Sequence, residues 1–167
     1  MRFRAIVLGV ALGVFVLDRW SKGYVASHYA PGETFWHWGP VVAFTFVLNR
    51  GAAFGLLQNR DLLFIAVAVA LLVAVGWILA TRRSLPAVLS VGLGLLTGGA
   101  AGNLWDRVVS GQVVDFVNFH VWPVFNVADS AIVVGMAVLV LELWRRERSN
   151  VESGGDGPSQ PDSDHPS

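Results

Sequence analysis

Cysteine is absent from this 167-residue chain. The protein therefore forms no disulfide, holds no metal through thiolates, has no cysteine nucleophile and offers no cysteine for lipid attachment. Charge is scarce too: Asp, Glu, Lys and Arg supply 14% of the residues against 54% hydrophobic ones. A soluble domain needs a more polar exterior, so the bilayer is the natural solvent. Twelve basic and twelve acidic residues leave a formal net charge of zero, and no basic block with interleaved aromatics marks a nucleic-acid partner. The four histidines, His28, His37, His120 and His165, form no HExxH pattern, which speaks against a catalytic zinc site. Ser21 and Lys22 are sequence neighbours that point apart on a helix, and Ser130 has no serine-protease motif around it. Serine chemistry is a weak candidate.

Long uncharged runs are what the chain does have. Residues 62–80 and 84–105 carry no charge, and each reaches the roughly 20 apolar residues that cross a hydrocarbon core. A third run starts near residue 4 and continues through Asp18, Arg19 and Lys22 to about residue 24. A signal peptide is the alternative for it, but Asp18-Arg19-Trp20-Ser21-Lys22 supplies no small-residue cleavage pattern. A fourth span covers 127–144, with Asp129 near its start and Glu142 near its end. The fold expected is an all-α membrane protein with four transmembrane helices at about 4–24, 62–80, 84–105 and 127–144. Arg2, Arg4, Arg82, Arg83, Arg145, Arg146 and Arg148 flank helix ends on one side, which the positive-inside rule assigns to the cytoplasm together with both termini. Arg19, Lys22, Arg50, Arg60 and Arg107 fall toward the other face and need local explanations.

The connection over residues 28–60 is long and rich in aromatics. Residues 41–48 are β-branched and aromatic between Gly39-Pro40 and Asn49-Arg50-Gly51, and so read as a strand. Residues 113–121 read as a second, with Asp115, Val117 and Phe119 on one face and Phe116, Asn118 and His120 on the other. The two are expected to pair into a small extracytoplasmic β-sheet platform. Gly94, Gly98 and Gly102 recur every four residues, which lets a neighbouring helix approach closely, and Gly9 and Gly13 repeat the spacing. After Arg148 the composition turns to Ser, Gly, Asp, Pro and Gln. Such a segment buries too little apolar area to offset its ordering entropy. Residues 1–146 thus form a membrane-embedded domain, and 147–167 a disordered cytoplasmic tail.

Two carboxylates sit where ionised acids are costly: Asp115 in Val113-Val114-Asp115-Phe116 and Asp129 in Phe125-Asn126-Val127-Ala128-Asp129. A return loop brings the two to one depth. They are then a pair sharing one proton, able to act as base and acid on one water; two separate salt-bridged acids fit the spacing as well. Asn126 stands three residues before Asp129, on the same helical face, where it can orient the acid. Asn103 and Arg107, four apart, share a face also; Arg107 can donate several bonds to a substrate carbonyl, or serve as a helix-end anchor with Asp106. Asp18 and Lys22 have the spacing of a stabilising helical ion pair. Asn49 to Phe54 is either a strand-ending turn or a backbone platform for an extended peptide. A proton-coupled transporter, whose acids relay protons, is the rival reading, and a non-catalytic assembly subunit a more distant one.

Taken in order, Asp18-x-x-Ser21-Lys22, Asn49-x-Gly51-Ala52-Ala53-Phe54, Gly98-Gly99-x-x-Gly102-Asn103-x-x-Asp106-Arg107, Val114-Asp115-Phe116 and Phe125-Asn126-x-Ala128-Asp129 closely resemble the bacterial lipoprotein signal peptidase (signal peptidase II) family. Five motifs in order across residues 1–146 make the resemblance specific. It implies an aspartic endopeptidase of the bacterial inner membrane, without cofactor or metal. The implied substrates are diacylglyceryl-modified prolipoproteins, cut immediately before the lipidated cysteine. Carried onto this sequence, it makes Asp115 and Asp129 catalytic. Asn49, Gly51, Asn103, Arg107 and Asn126 bind substrate or support the site, and Asp18 and Lys22 form a structural motif. It further implies a monomer in contact with membrane lipids, a substrate groove within the membrane, a site toward the periplasmic face, and sensitivity to globomycin.

Overall fold

The computed structural model describes residues 2–51 and 61–154. Its elements run α1 Arg2–His28, β1 Thr34–Trp38, β2 Val42–Asn49, α2 Asp61–Thr81, α3 Ala87–Ser110, β3 Val113–Asn118 and α4 Val127–Gly154. Each expected helix is present, with shifted ends. Leu85 precedes Pro86, and a residue before proline is pushed out of the helical region; α3 accordingly starts at Ala87. It ends where Gly111 turns to φ 67 and donates its N–H to the Arg107 carbonyl at 3.1 Å, a glycine cap of the left-handed kind. The other departure is at the far end of α4. Glu142 bonds Arg146 at 2.8 Å and faces Arg145 at 3.7 Å, helical ion pairs that carry α4 beyond residue 144. The tail expected to be disordered over 147–167 is helical as far as Gly154; its remainder lies outside the described residues.

α3 is the centre of the bundle, in contact with α1, α2 and α4. Its glycines make this possible. A Cβ on Gly94 would stand 2.7 Å from Val10 Cβ, and one on Gly98 2.6 Å from the Ala11 carbonyl oxygen. Across the other face, a Cβ on Gly92 would meet Leu139 at 2.9 Å, and one on Gly135 the Gly92 carbonyl at 2.8 Å. Gly9 and Gly13 do not repeat the device: a Cβ there would meet nothing within 4 Å among the described residues. α1 turns Val7, Ala11, Asp18 and Lys22 inward instead, so the matching four-residue spacing lies on its outer side.

α2, α3 and residues 127–149 of α4 are long and apolar enough to cross a membrane. α1, at 27 residues, has the length but carries Asp18, Arg19 and Lys22 in its second half. The small sheet has order β1-β2-β3, antiparallel throughout. The expected pairing of the two strands is present, with Val47 opposite Asp115 and Asn49 opposite Val113. β1, which holds Trp36 and Trp38, is a strand the sequence did not signal, since membrane-interface anchoring and strand formation favour the same aromatic residues. β3 stops at Asn118, whose side-chain oxygen accepts the N–H of His120, held at φ 60; Phe119 and His120 therefore lie beyond the strand. Two apolar clusters bracket the molecule, one around Val7, Val75 and Leu93 and one around Val25, Phe46 and Phe116 where helices meet sheet. Along α1, between Val7 and Val25, lies a buried polar layer.

Candidate active site

Local geometry at three chain segments aims the polar groups. Asn126 precedes α4 and caps it: its side-chain oxygen accepts the Asp129 N–H at 2.9 Å, and Asp129 Oδ2 accepts the Asn126 N–H at 3.3 Å. This is a reciprocal capping box. It fixes the Asp129 side chain more firmly than a shared helical face would. Asn49 ends β2, where its Oδ1 accepts the Gly51 N–H at 2.9 Å, an Asx-type turn that points Nδ2 across the sheet. There it donates to Asp115 Oδ2 at 2.8 Å. Asn103 and Arg107 project from the last turns of α3.

Asp115 and Asp129 line one cavity of about 450 Å³. Asn49, Gly51, Asn103 and Arg107 line it too, whereas Asn126 stands behind it. Asn126 Nδ2 donates to Asp115 Oδ1 at 2.7 Å, while its backbone N–H reaches Asp129. One residue thus bridges the two carboxylates. Asn103 Nδ2 donates to Asp129 Oδ1 at 2.7 Å. Asp115 is 1% exposed, and burial, followed by the charge of Asp129, pushes its carboxyl up to about 7 against the bonds from Asn49 and Asn126. The sequence left open whether the two acids meet; they share this cleft.

Arg107 is not an anchor for Asp106. Its guanidinium lies 4.7 Å from the centre of the Phe64 ring, on the cavity wall. Asp106 turns the other way, to Arg19 and to Lys22 Nζ at 2.8 Å. Lys22 also meets Asp18 Oδ2 at 2.8 Å and donates to Asn103 Oδ1 at 2.8 Å, and Asp18 Oδ1 accepts the Ala128 N–H at 3.0 Å in the first turn of α4. Asp18 and Lys22 are both 0% exposed. The pair read from spacing as a modest helical contact is therefore the centre of a buried network tying α1 to α3 and α4. Sequence reasoning missed the Arg19–Asp106 contact, because residues 87 positions apart give no periodic signal. It missed Phe64 and Trp122 on the cavity wall for the same reason. Ala52, Ala53 and Phe54 of the second motif lie outside the described residues.

Below the carboxylates the cavity is walled by apolar side chains of α2 and α4, among them Val67, Leu71, Ile132 and Met136. Two carboxylates at the head of an apolar cleft, between helices long and apolar enough to cross a membrane, are an arrangement that two-carboxylate hydrolysis can use. The model of the signal peptidase (SPase) II family matches residues 10–145, and the chain belongs to that family of aspartic peptidases. Similar proteins include the lipoprotein signal peptidase of Halothermothrix orenii, 42% identical over 83% of this chain and 95% of that protein. That of Moorella thermoacetica is 44% identical over 80% and 89%. Among solved structures, a bacterial membrane enzyme determined by the in meso method at 2.3 Å resolution matches with a TM-score of 0.80. It is 25% identical and covers 92% of this chain and 94% of its own. A second, at 1.9 Å, has a TM-score of 0.74 and 28% identity over 82% and 91%.

Proposed function

We propose that this chain is the endopeptidase that removes signal peptides from diacylglyceryl-modified prolipoproteins, cutting immediately before the lipidated cysteine. The convergence of Asp115 and Asp129 on one apolar cleft through Asn126 carries the reading. Two close carboxylates do not ionise together and titrate as a pair. Asp115, the more deeply buried, holds the shared proton and polarises the scissile carbonyl; Asp129 accepts a proton from the attacking water. The tetrahedral oxyanion takes the proton from Asp115; on collapse Asp129 returns its proton to the leaving amine while Asp115 takes one back from the gem-diol hydroxyl, which restores the starting protonation of the pair. Arg107 and Asn49 are donors at the mouth of the same cleft, suited to the carbonyls of an extended peptide. Gly51 acts by pinning Asn49. The apolar walls suit a substrate that arrives laterally, itself an apolar helix with acyl chains, whose remote contacts supply binding energy.

α1 is the fourth span. Its 27 residues extend about 40 Å at the helical rise, more than the hydrocarbon thickness. Asp18 and Lys22 neutralise each other inside the bundle, and Leu8, Leu12, Val16 and Leu17 face outward, the arrangement charged residues take within membranes. Arg4 donates to the Ala80 carbonyl at 3.5 Å, joining the start of α1 to the end of α2. The arginines at that end of the bundle, with those closing α4, support its lying on the cytoplasmic side. The carboxylates then lie toward the periplasmic face.

Cleavage of a diacylglyceryl-modified precursor by the purified monomer in liposomes tests the reading. Wild type is expected to shorten it, while Asp115→Asn and Asp129→Asn fold but do not. A wild type that drives proton flux across the liposome and never shortens the precursor would sink it in favour of a transporter.

A further inference from the structure

The Lys22 ammonium makes three contacts at the same distance, 2.8 Å: ion pairs with Asp18 Oδ2 and Asp106 Oδ2, and a hydrogen bond donated to Asn103 Oδ1. Charge balance accounts for two of them. Asp18 and Asp106 are matched by Lys22 and Arg19, so the hydrogen bond to a neutral amide serves no ion pair. Its consequence is at the other end of that amide. Asn103 Oδ1 also receives Asn126 Nδ2 at 3.2 Å, which occupies both lone pairs of the oxygen. An amide is free to turn over unless its neighbours distinguish oxygen from nitrogen. Here the turned-over form would aim the Asn103 NH2 at an ammonium and at a second NH2. The oxygen is therefore held on the α1 side, and the NH2 faces Asp129 Oδ1 at 2.7 Å.

We propose that Lys22 is a positioning residue for Asp129: its ammonium locks the Asn103 amide so that a donor, and not an acceptor, faces the carboxylate. Lys22 never touches substrate or water in the cleft, being wholly buried behind Asn103. The bond also polarises the amide, which strengthens the N–H that Asp129 accepts. This assigns Lys22 a second task beside the stability of its ion pairs, and it rests on the peptidase reading above.

Because a structural role and a positioning role both lower yield of active enzyme, the decisive experiment is a double-mutant cycle. Lys22→Met, Asn103→Ala and the two combined are purified, their folded fractions set by thermal melting, and kcat and KM measured on the diacylglyceryl-modified precursor. Lys22→Met is expected to lower kcat per folded molecule 10- to 100-fold with KM within twofold of wild type. In the Asn103→Ala background the same substitution is expected to change kcat less than twofold. Equal losses in both backgrounds, or a folded Lys22→Met enzyme with wild-type kcat, would overturn the proposal. Should Lys22→Met not fold, the charge-balanced Asp18→Asn/Lys22→Met pair takes its place in the cycle and is judged by the same two outcomes. Failure here is distinct from failure of the peptidase reading, which wild type with Asp115→Asn and Asp129→Asn decides alone.

Discussion

Asp115 should make the folded protein less stable at high pH, and replacing it should reverse that. Its carboxyl moves from an ordinary value of 3.8 to about 7 on folding. The folded state therefore keeps a proton that the unfolded state releases, and stability falls as pH rises from about 4 to about 7. Each tenfold change in proton affinity is worth 1.36 kcal/mol, so the full effect is about 4 kcal/mol. Asp115→Asn removes it. The amide, however, offers one acceptor where the carboxylate offered two, so either Asn49 or Asn126, now at 2.8 and 2.7 Å, faces an NH2 group. That costs about 1–3 kcal/mol at every pH. The variant should be less stable than wild type at pH 4 and more stable at pH 8. The difference in melting temperature should swing by roughly 10 °C across the range for a domain of this size. Thermal unfolding of both proteins in one detergent between pH 4 and 8 measures it. A difference that stays constant over that range refutes the burial-driven displacement.

The same carboxyl predicts a pH profile: kcat should fall above about pH 7, as Asp115 loses the proton it must donate. Turnover of the precursor from pH 5 to 9 would show a flat upper limb if another group is the acid. Gly98→Leu should destabilise the bundle by about 1–3 kcal/mol or more, since even its Cβ meets the Ala11 carbonyl at 2.6 Å. Gly13→Ala, with open space around it, should be neutral or stabilise by about 0.4–1 kcal/mol; chemical denaturation separates the two. Asn126→Ala removes the α4 cap and the bridge between the carboxylates together. Stability should drop by about 1 kcal/mol and kcat by about 100-fold, and a loss of stability alone would mean the bridge is dispensable. Arg107→Lys keeps the charge but not the planar group stacked at Phe64; kcat/KM should fall about tenfold, and unchanged kinetics would exclude multidentate contact.

The sequence by itself determined the apolar solvent, the helices and which two acids stand in costly surroundings. Uncharged runs of sufficient length suit a hydrocarbon solvent, and an acid in such surroundings is conspicuous because it is expensive. The spacing of Gly94, Gly98 and Gly102 along one face of α3 was equally legible, being a local periodicity. Gly9 and Gly13 show the limit, for the same interval on α1 meets no partner among the described residues, and an interval does not say which face is inside. Only tertiary structure decided how the polar residues divide. Asp106 and Arg107 are adjacent in sequence, yet one turns to Lys22 and Arg19 and the other to the cleft. Asn126 joins Asp115 to Asp129 through both its side chain and its backbone. Such partnerships connect segments tens of residues apart, and a hydrogen bond is set by direction and distance, which one chain position cannot encode without its neighbours in space.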